Sequence, residues 1–187
     1  ESYPTLYLND GIEYLERVRV NIIADNLIGA RQLRPIIIVF VAPLDRMKEY
    51  WLNSDYVRFL ITEIVFKVDT KYRTLKNVDF RAIGGASLGG LIAAYAAMRR
   101  SDIFGKVLGQ SSAFWVNSMR LLHDIGNLPR RSITWYLEVG SYEPLLDLNR
   151  QVKAVLLARG YNISYREFHA GHNWTHWRDA MPDGLIY

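Results

Sequence analysis

Short apolar runs bounded by glycine, proline and aspartate alternate along this chain with longer stretches whose apolar residues recur at helical spacing. The runs predict strands over residues 5–8, 35–41, 80–84, 106–109, 133–139 and 163–168. Helices are predicted between them. Residues 14–28 carry Leu15, Val18, Ile22, Ile23 and Leu27 on one face, and 56–66 repeat the pattern with Phe59, Leu60, Ile64 and Val65. Residues 91–98, rich in alanine, are predicted as a helix that packs close to the sheet. From Pro144, suited to a first helical turn, to Ala158, the residues Leu145, Leu148, Val152, Val155 and Leu156 form another face, with Gly160 as the stop. Strand–helix alternation of this kind predicts an α/β fold: three layers around a mostly parallel central sheet, in one domain over 1–187. The chain starts almost directly on a strand. Further N-terminal strands are therefore expected to be missing, which would leave an exposed sheet edge and favour self-association.

The junction of the third strand and the following helix reads Gly85-Ala86-Ser87-Leu88-Gly89-Gly90. A sharp strand-to-helix turn of this composition is a nucleophile elbow: it lifts a serine hydroxyl above the carboxyl edge of the sheet, in dihedrals that need small residues at 85 and 89. Ser87 is the candidate nucleophile. The competing reading is a purely structural glycine turn.

Composition narrows the chemistry. The 187 residues are 50% hydrophobic, enough for a substantial core, and include no cysteine, which excludes disulfides, thiolate catalysis and Cys-ligated zinc. No apolar run is long enough to span a bilayer, and there is no basic-then-apolar leader. A net charge of +4, scattered rather than striped, argues against nucleic acid and would steer an anionic small molecule favourably. Neither a membrane nor a metal is expected as partner. The compartment stays open, with the cytosol slightly favoured.

A serine hydroxyl needs a base, and the base needs an acid to fix its tautomer. His172, in Ala170-Gly171-His172-Asn173-Trp174, follows the last predicted strand and precedes the last helix. His169 and His176 are the alternatives. A zinc pair of His172 and His176 is disfavoured because Asn173 stands where a metalloprotease motif requires glutamate. The acid is expected after the fifth strand, in Gly140-Ser141-Tyr142-Glu143-Pro144. Glu143 is better placed there than Asp147, though it could merely favour a helix N-terminus. If neither carboxylate reaches the imidazole, a Ser–His dyad remains. The oxyanion hole would take the backbone N–H of Leu88 and, from the turn Asn9-Asp10-Gly11-Ile12, that of Ile12, with Gly11 allowing the turn. Two side chains are candidates for substrate binding. Arg46 could pair an anionic or phenolate oxygen unless Asp45 or Glu49 takes it, and Trp115 could stack on an aromatic acyl group unless it packs in a core or lid. Trp174 and Trp177 are expected to anchor the last helix.

Taken together, Leu6-Tyr7-Leu8-Asn9-Asp10-Gly11, Asp45-Arg46-Met47-Lys48-Glu49-Tyr50, the GASLGG run, Gly140 to Pro144, and Gly171-His172-Asn173-Trp174 with Trp177-Arg178 resemble the Putative esterase family. That group includes enterochelin (ferric enterobactin) esterases, feruloyl and other carbohydrate esterases, and mycolyltransferases. The resemblance runs over nearly the whole chain and is nearest to the enterochelin-esterase-like branch. Position 170 departs from it, being Ala where the family more often has Gly. The resemblance implies an α/β-hydrolase fold and cofactor-free hydrolysis of a small-molecule ester by Ser87, His172 and Glu143. A catecholate siderophore ester is one candidate substrate. A feruloyl or acetyl sugar ester, or acyl transfer to a sugar hydroxyl, would use the same constellation. A non-enzymatic binding module would be expected to show a broken triad.

Overall fold

The computed structural model describes residues 1–187. Six strands form a single sheet: β1 (Thr5–Asn9), β2 (Ile37–Val41), β3 (Arg81–Ala86), β4 (Lys106–Gln110), β5 (Thr134–Gly140) and β6 (Asn162–Phe168). Their order is β2-β1-β3-β4-β5-β6, and every neighbouring pair is parallel. All six carboxyl ends therefore lie on one rim. The predicted strands are each recovered within two residues at either end.

A parallel sheet needs both faces covered, and alternate strand residues supply two cores. Tyr7, Ile83, Val107, Trp135 and Leu137 feed one core. Leu6, Leu8, Leu108 and Tyr136 feed the other. The first core is covered by helices Leu88–Arg99, Val116–Asn127 and Leu146–Ala158, the second by Val20–Gly29 and Trp174–Ile186. Helix Leu88–Arg99 is buried at ten of its twelve positions, which explains why it lacks an amphipathic stripe and is built largely of Ala, Gly and Leu.

The helices depart from the sequence pattern more than the strands do. The expected helix over 14–28 is broken: a π-helical turn over Tyr14–Val18 ends at Arg19, whose φ of 54° is left-handed, and the α-helix restarts at Val20. The helix expected over 56–66 runs from Ser54 to Lys71, with a π-helical stretch over Leu60–Val65. Pro144 stands in the turn before its helix, which starts at Leu146. Two helices had no predicted counterpart, Arg46–Tyr50 and Val116–Asn127. The first was signalled by an N-cap, since the Asp45 carboxylate accepts from the Lys48 N–H at 3.1 Å.

Candidate active site

Ser87 closes β3 and opens helix Leu88–Arg99 with φ 57° and ψ −119°. That conformation costs a non-glycine residue about 1–3 kcal/mol and is typical of functional turns. The neighbours show why the turn demands glycine. A Cβ on Gly85 would sit 2.5 Å from the Gly89 carbonyl carbon, and one on Gly89 would sit 2.8 Å from Asp10 Oδ2. Ser87 faces a cavity of about 330 Å³ that is also lined by Asp10, Glu13, Arg17, Arg46, His172, Trp174 and Trp177.

The loops after β5 and β6 bring a carboxylate and an imidazole together. Glu143 Oε2 is hydrogen-bonded to His172 Nδ1. Its other oxygen accepts from Ser111 Oγ at 2.6 Å and from the Gly140 N–H at 2.5 Å. Ser111 in turn accepts from Trp177 Nε1 at 3.0 Å. Burial alone would raise the Glu143 pKa, but the donors from His172, Ser111 and Gly140 outweigh it and hold the carboxyl below its usual range. An ionised Glu143 on Nδ1 fixes the imidazole tautomer with Nε2 free to accept a proton. Asp147 pairs with Arg150 and His169 stands beside Tyr142, and neither lines the cavity of Ser87.

His176 is buried, with Nε2 3.8 Å from Glu138 Oε1. Glu138 lies one layer below the cavity, accepting from Gln110 Nε2 at 2.7 Å. Burial pushes its carboxyl up to about 8. Gln110 also donates to the Trp177 carbonyl at 2.9 Å and accepts from the Tyr14 hydroxyl at 2.7 Å. Sequence reasoning missed this layer. Inside a buried strand, Glu138 was the one available signal.

Arg46 does line the cavity, but not as an unengaged cation and not paired with Asp45 or Glu49. It grips Asp10 with two hydrogen bonds, Nε to Oδ1 at 2.8 Å and Nη2 to Oδ2 at 2.9 Å. Nη2 also donates to the Ala86 carbonyl at 3.3 Å, which ties the β1 loop to the elbow. Asp10, not Gly11, holds the left-handed turn, at φ 57°. Gly11 is required for a different reason: a Cβ there would lie 2.5 Å from the β2 backbone at Phe40 and Val41.

The N–H groups of both Leu88 and Ile12 are left unbonded by any backbone carbonyl, as befits first-turn positions. The Ile12 side chain is exposed and does not line the cavity. Trp115 is likewise absent from the cavity wall. It packs edge-on against Trp51, with ring centroids 5.3 Å apart, and stays 47% exposed. Trp174 and Trp177, expected only to anchor the last helix, are in the wall itself. Another cavity, about 410 Å³, lies around the opposite, amino ends of the strands and contains no nucleophile–base pair. No group of three or more His, Asp or Glu side chains assembles to hold a metal ion, and no helix is long and apolar enough to cross a membrane.

A family model described as Putative esterase matches residues 1–187. An iron(III) enterobactin esterase of Escherichia coli O6:H1 (strain CFT073) is 28% identical over 198 residues, which cover 100% of this chain and 50% of that protein. The crystal structure of the enterobactin esterase from Shigella flexneri in the presence of enterobactin is similar with a TM-score of 0.92 at 28% identity, over 100% of this chain and 50% of the other. A ferulic acid esterase structure has a TM-score of 0.87 at 24% identity, over 100% of this chain and 84% of the other, a likeness of fold. The architecture is of the α/β-hydrolase type. The chain spans about half the length of the curated relatives it matches.

Proposed function

Because the chain belongs to the Putative esterase family, whose model covers it from end to end, we propose that it hydrolyses carboxylic esters with Ser87, His172 and Glu143 as a triad. The observation that carries this reading is the joint placement of Ser87 and His172 in one cavity, with the imidazole bonded through Nδ1 to a buried, ionised Glu143. Ser87 Oγ attacks the ester carbonyl while its proton passes to His172 Nε2, and Glu143 stabilises the imidazolium that forms. The tetrahedral oxygen takes hydrogen bonds from the N–H groups of Leu88 and Ile12. Collapse expels the alcohol, which recovers the proton from Nε2. Water then repeats the sequence and frees Ser87.

The substrate we propose is a catecholate siderophore ester. It is supported by the relatives whose names specify enterobactin and by the basic net charge. The test is turnover of a catecholate triester, a feruloyl sugar and p-nitrophenyl acetate on one preparation of wild type and of Ser87→Ala. Wild type should prefer the triester, and the variant should lose at least about 10³-fold on all three. A preference for the feruloyl sugar, or transfer of the acyl group to added sugar, would replace the substrate assignment. Full activity in Ser87→Ala would remove the triad.

A further inference from the structure

Two charged residues in the cavity wall have no ion-pair partner, and they sit on the same short segment. Glu13 and Arg17 both face the cavity of Ser87 and His172. They are four residues apart, the spacing at which a glutamate and a following arginine ordinarily pair on an α-helix. Neither side chain forms an ion pair with any residue. Both lie on or beside the π-helical turn Tyr14–Val18.

That turn is held in place. The Tyr14 hydroxyl donates to buried Gln110 at 2.7 Å, and its ring packs edge-on against Trp174 with centroids 5.4 Å apart. Trp174 packs on Trp177, and Trp177 packs on the His172 ring with centroids 5.0 Å apart. Arg17, on the same turn, lines the cavity with Trp174, Trp177 and His172, whose imidazole returns the proton to the departing alcohol in the triad reading. The other arginine of the cavity, Arg46, is already engaged by Asp10 and the Ala86 carbonyl.

Resting on the triad reading above, we propose that Arg17 is the specificity-determining cation of this site, selecting esters whose leaving alcohol bears an anionic group, with Glu13 opposing it. Arg17 acts on the part of the substrate beyond the scissile bond. Its contribution is to binding and is screened by salt.

The experiment uses two acetyl esters with the same acyl group, p-nitrophenyl acetate and its 3-carboxylate analogue, and reads the ratio of their kcat/KM values, anionic over neutral. Arg17→Gln should lower that ratio about five- to tenfold at low salt, and Glu13→Gln should raise it about two- to fivefold. Lys67→Gln, which removes the same charge from an exposed position on helix Phe66–Lys71, should leave it unchanged. A ratio unmoved by Arg17→Gln, or lowered equally by Lys67→Gln, overturns the proposal. Labelling of Ser87 by a neutral fluorophosphonate on the same samples separates the two levels of inference. Wild type that neither labels nor turns over contradicts the triad, whereas normal labelling with an unmoved ratio contradicts Arg17 alone.

Discussion

Glu138 and Glu143 lie five residues apart at the carboxyl end of β5, both with side chains closed to solvent, and their carboxyl pKa values move in opposite directions. Glu143 has donors on both oxygens, from His172, Ser111 and the Gly140 N–H, and stays ionised. Glu138 has a single donor, Gln110, one oxygen without a partner, and a carboxyl pushed up to about 8. The donors on Glu143 and the His172 beside it outweigh its desolvation, whereas the single donor on the more deeply buried Glu138 does not. Only the carboxylate that keeps its charge can support an imidazolium.

The largest expected effect comes from removing the charge that survives. Glu143→Gln keeps the shape but offers His172 Nδ1 an amide in place of a carboxylate, and steady-state hydrolysis of p-nitrophenyl acetate should show kcat reduced about 10³- to 10⁴-fold. A reduction below tenfold would mean that Ser87 and His172 operate as a dyad. Weakening the support of Glu143 should cost less. Ser111→Ala removes one donor and leaves Trp177 Nε1 without its acceptor, so kcat should fall about tenfold.

The third expectation concerns Glu138 and is read in stability. A carboxyl raised in the folded state binds more protons folded than unfolded between its ordinary pKa and about 8. Its contribution is therefore most favourable below the ordinary value and is lost as pH rises through that window. Glu138→Gln removes this slope, so the Tm of the variant minus that of wild type should rise steadily from pH 5 to pH 8. A constant difference across the range would mean that Glu138 does not titrate in the folded state there. The smallest effect is expected outside the cavity: Trp115→Ala should change kcat/KM for a short-chain ester by less than about twofold, since its partner is Trp51.

The same two glutamates show what the sequence makes legible. That Glu143 would meet His172 could be expected because loop order after successive parallel strands brings those two turns to one rim, and local composition marked the turn. Ser87 and His172 were legible for the same reason, and the strands because short apolar runs between breakers have few other uses. Glu138, Ser111 and Gln110 were not, since their roles come from contacts between strands and with helix Trp174–Ile186. Arg46 reads from the sequence as a substrate-binding candidate with Asp45 or Glu49 as the competing partner, yet its acid is Asp10, 36 residues earlier, brought in by the parallel pairing of β1 with β2. The π-helical turn at Tyr14–Val18 also has no local signature, because its apolar residues still fit a helical period.

The most direct test of the central claim is the rate at which a neutral fluorophosphonate modifies the protein, followed by intact mass and peptide mapping in wild type, Ser87→Ala, Glu143→Gln and Glu138→Gln. Wild type and Glu138→Gln should label at Ser87 at similar rates, Glu143→Gln should label about 10³-fold more slowly, and Ser87→Ala should not label at all. Labelling of Ser87→Ala at another residue, or Glu143→Gln labelling as fast as wild type, would contradict the assignment of Ser87 as nucleophile or of Glu143 as the acid behind His172.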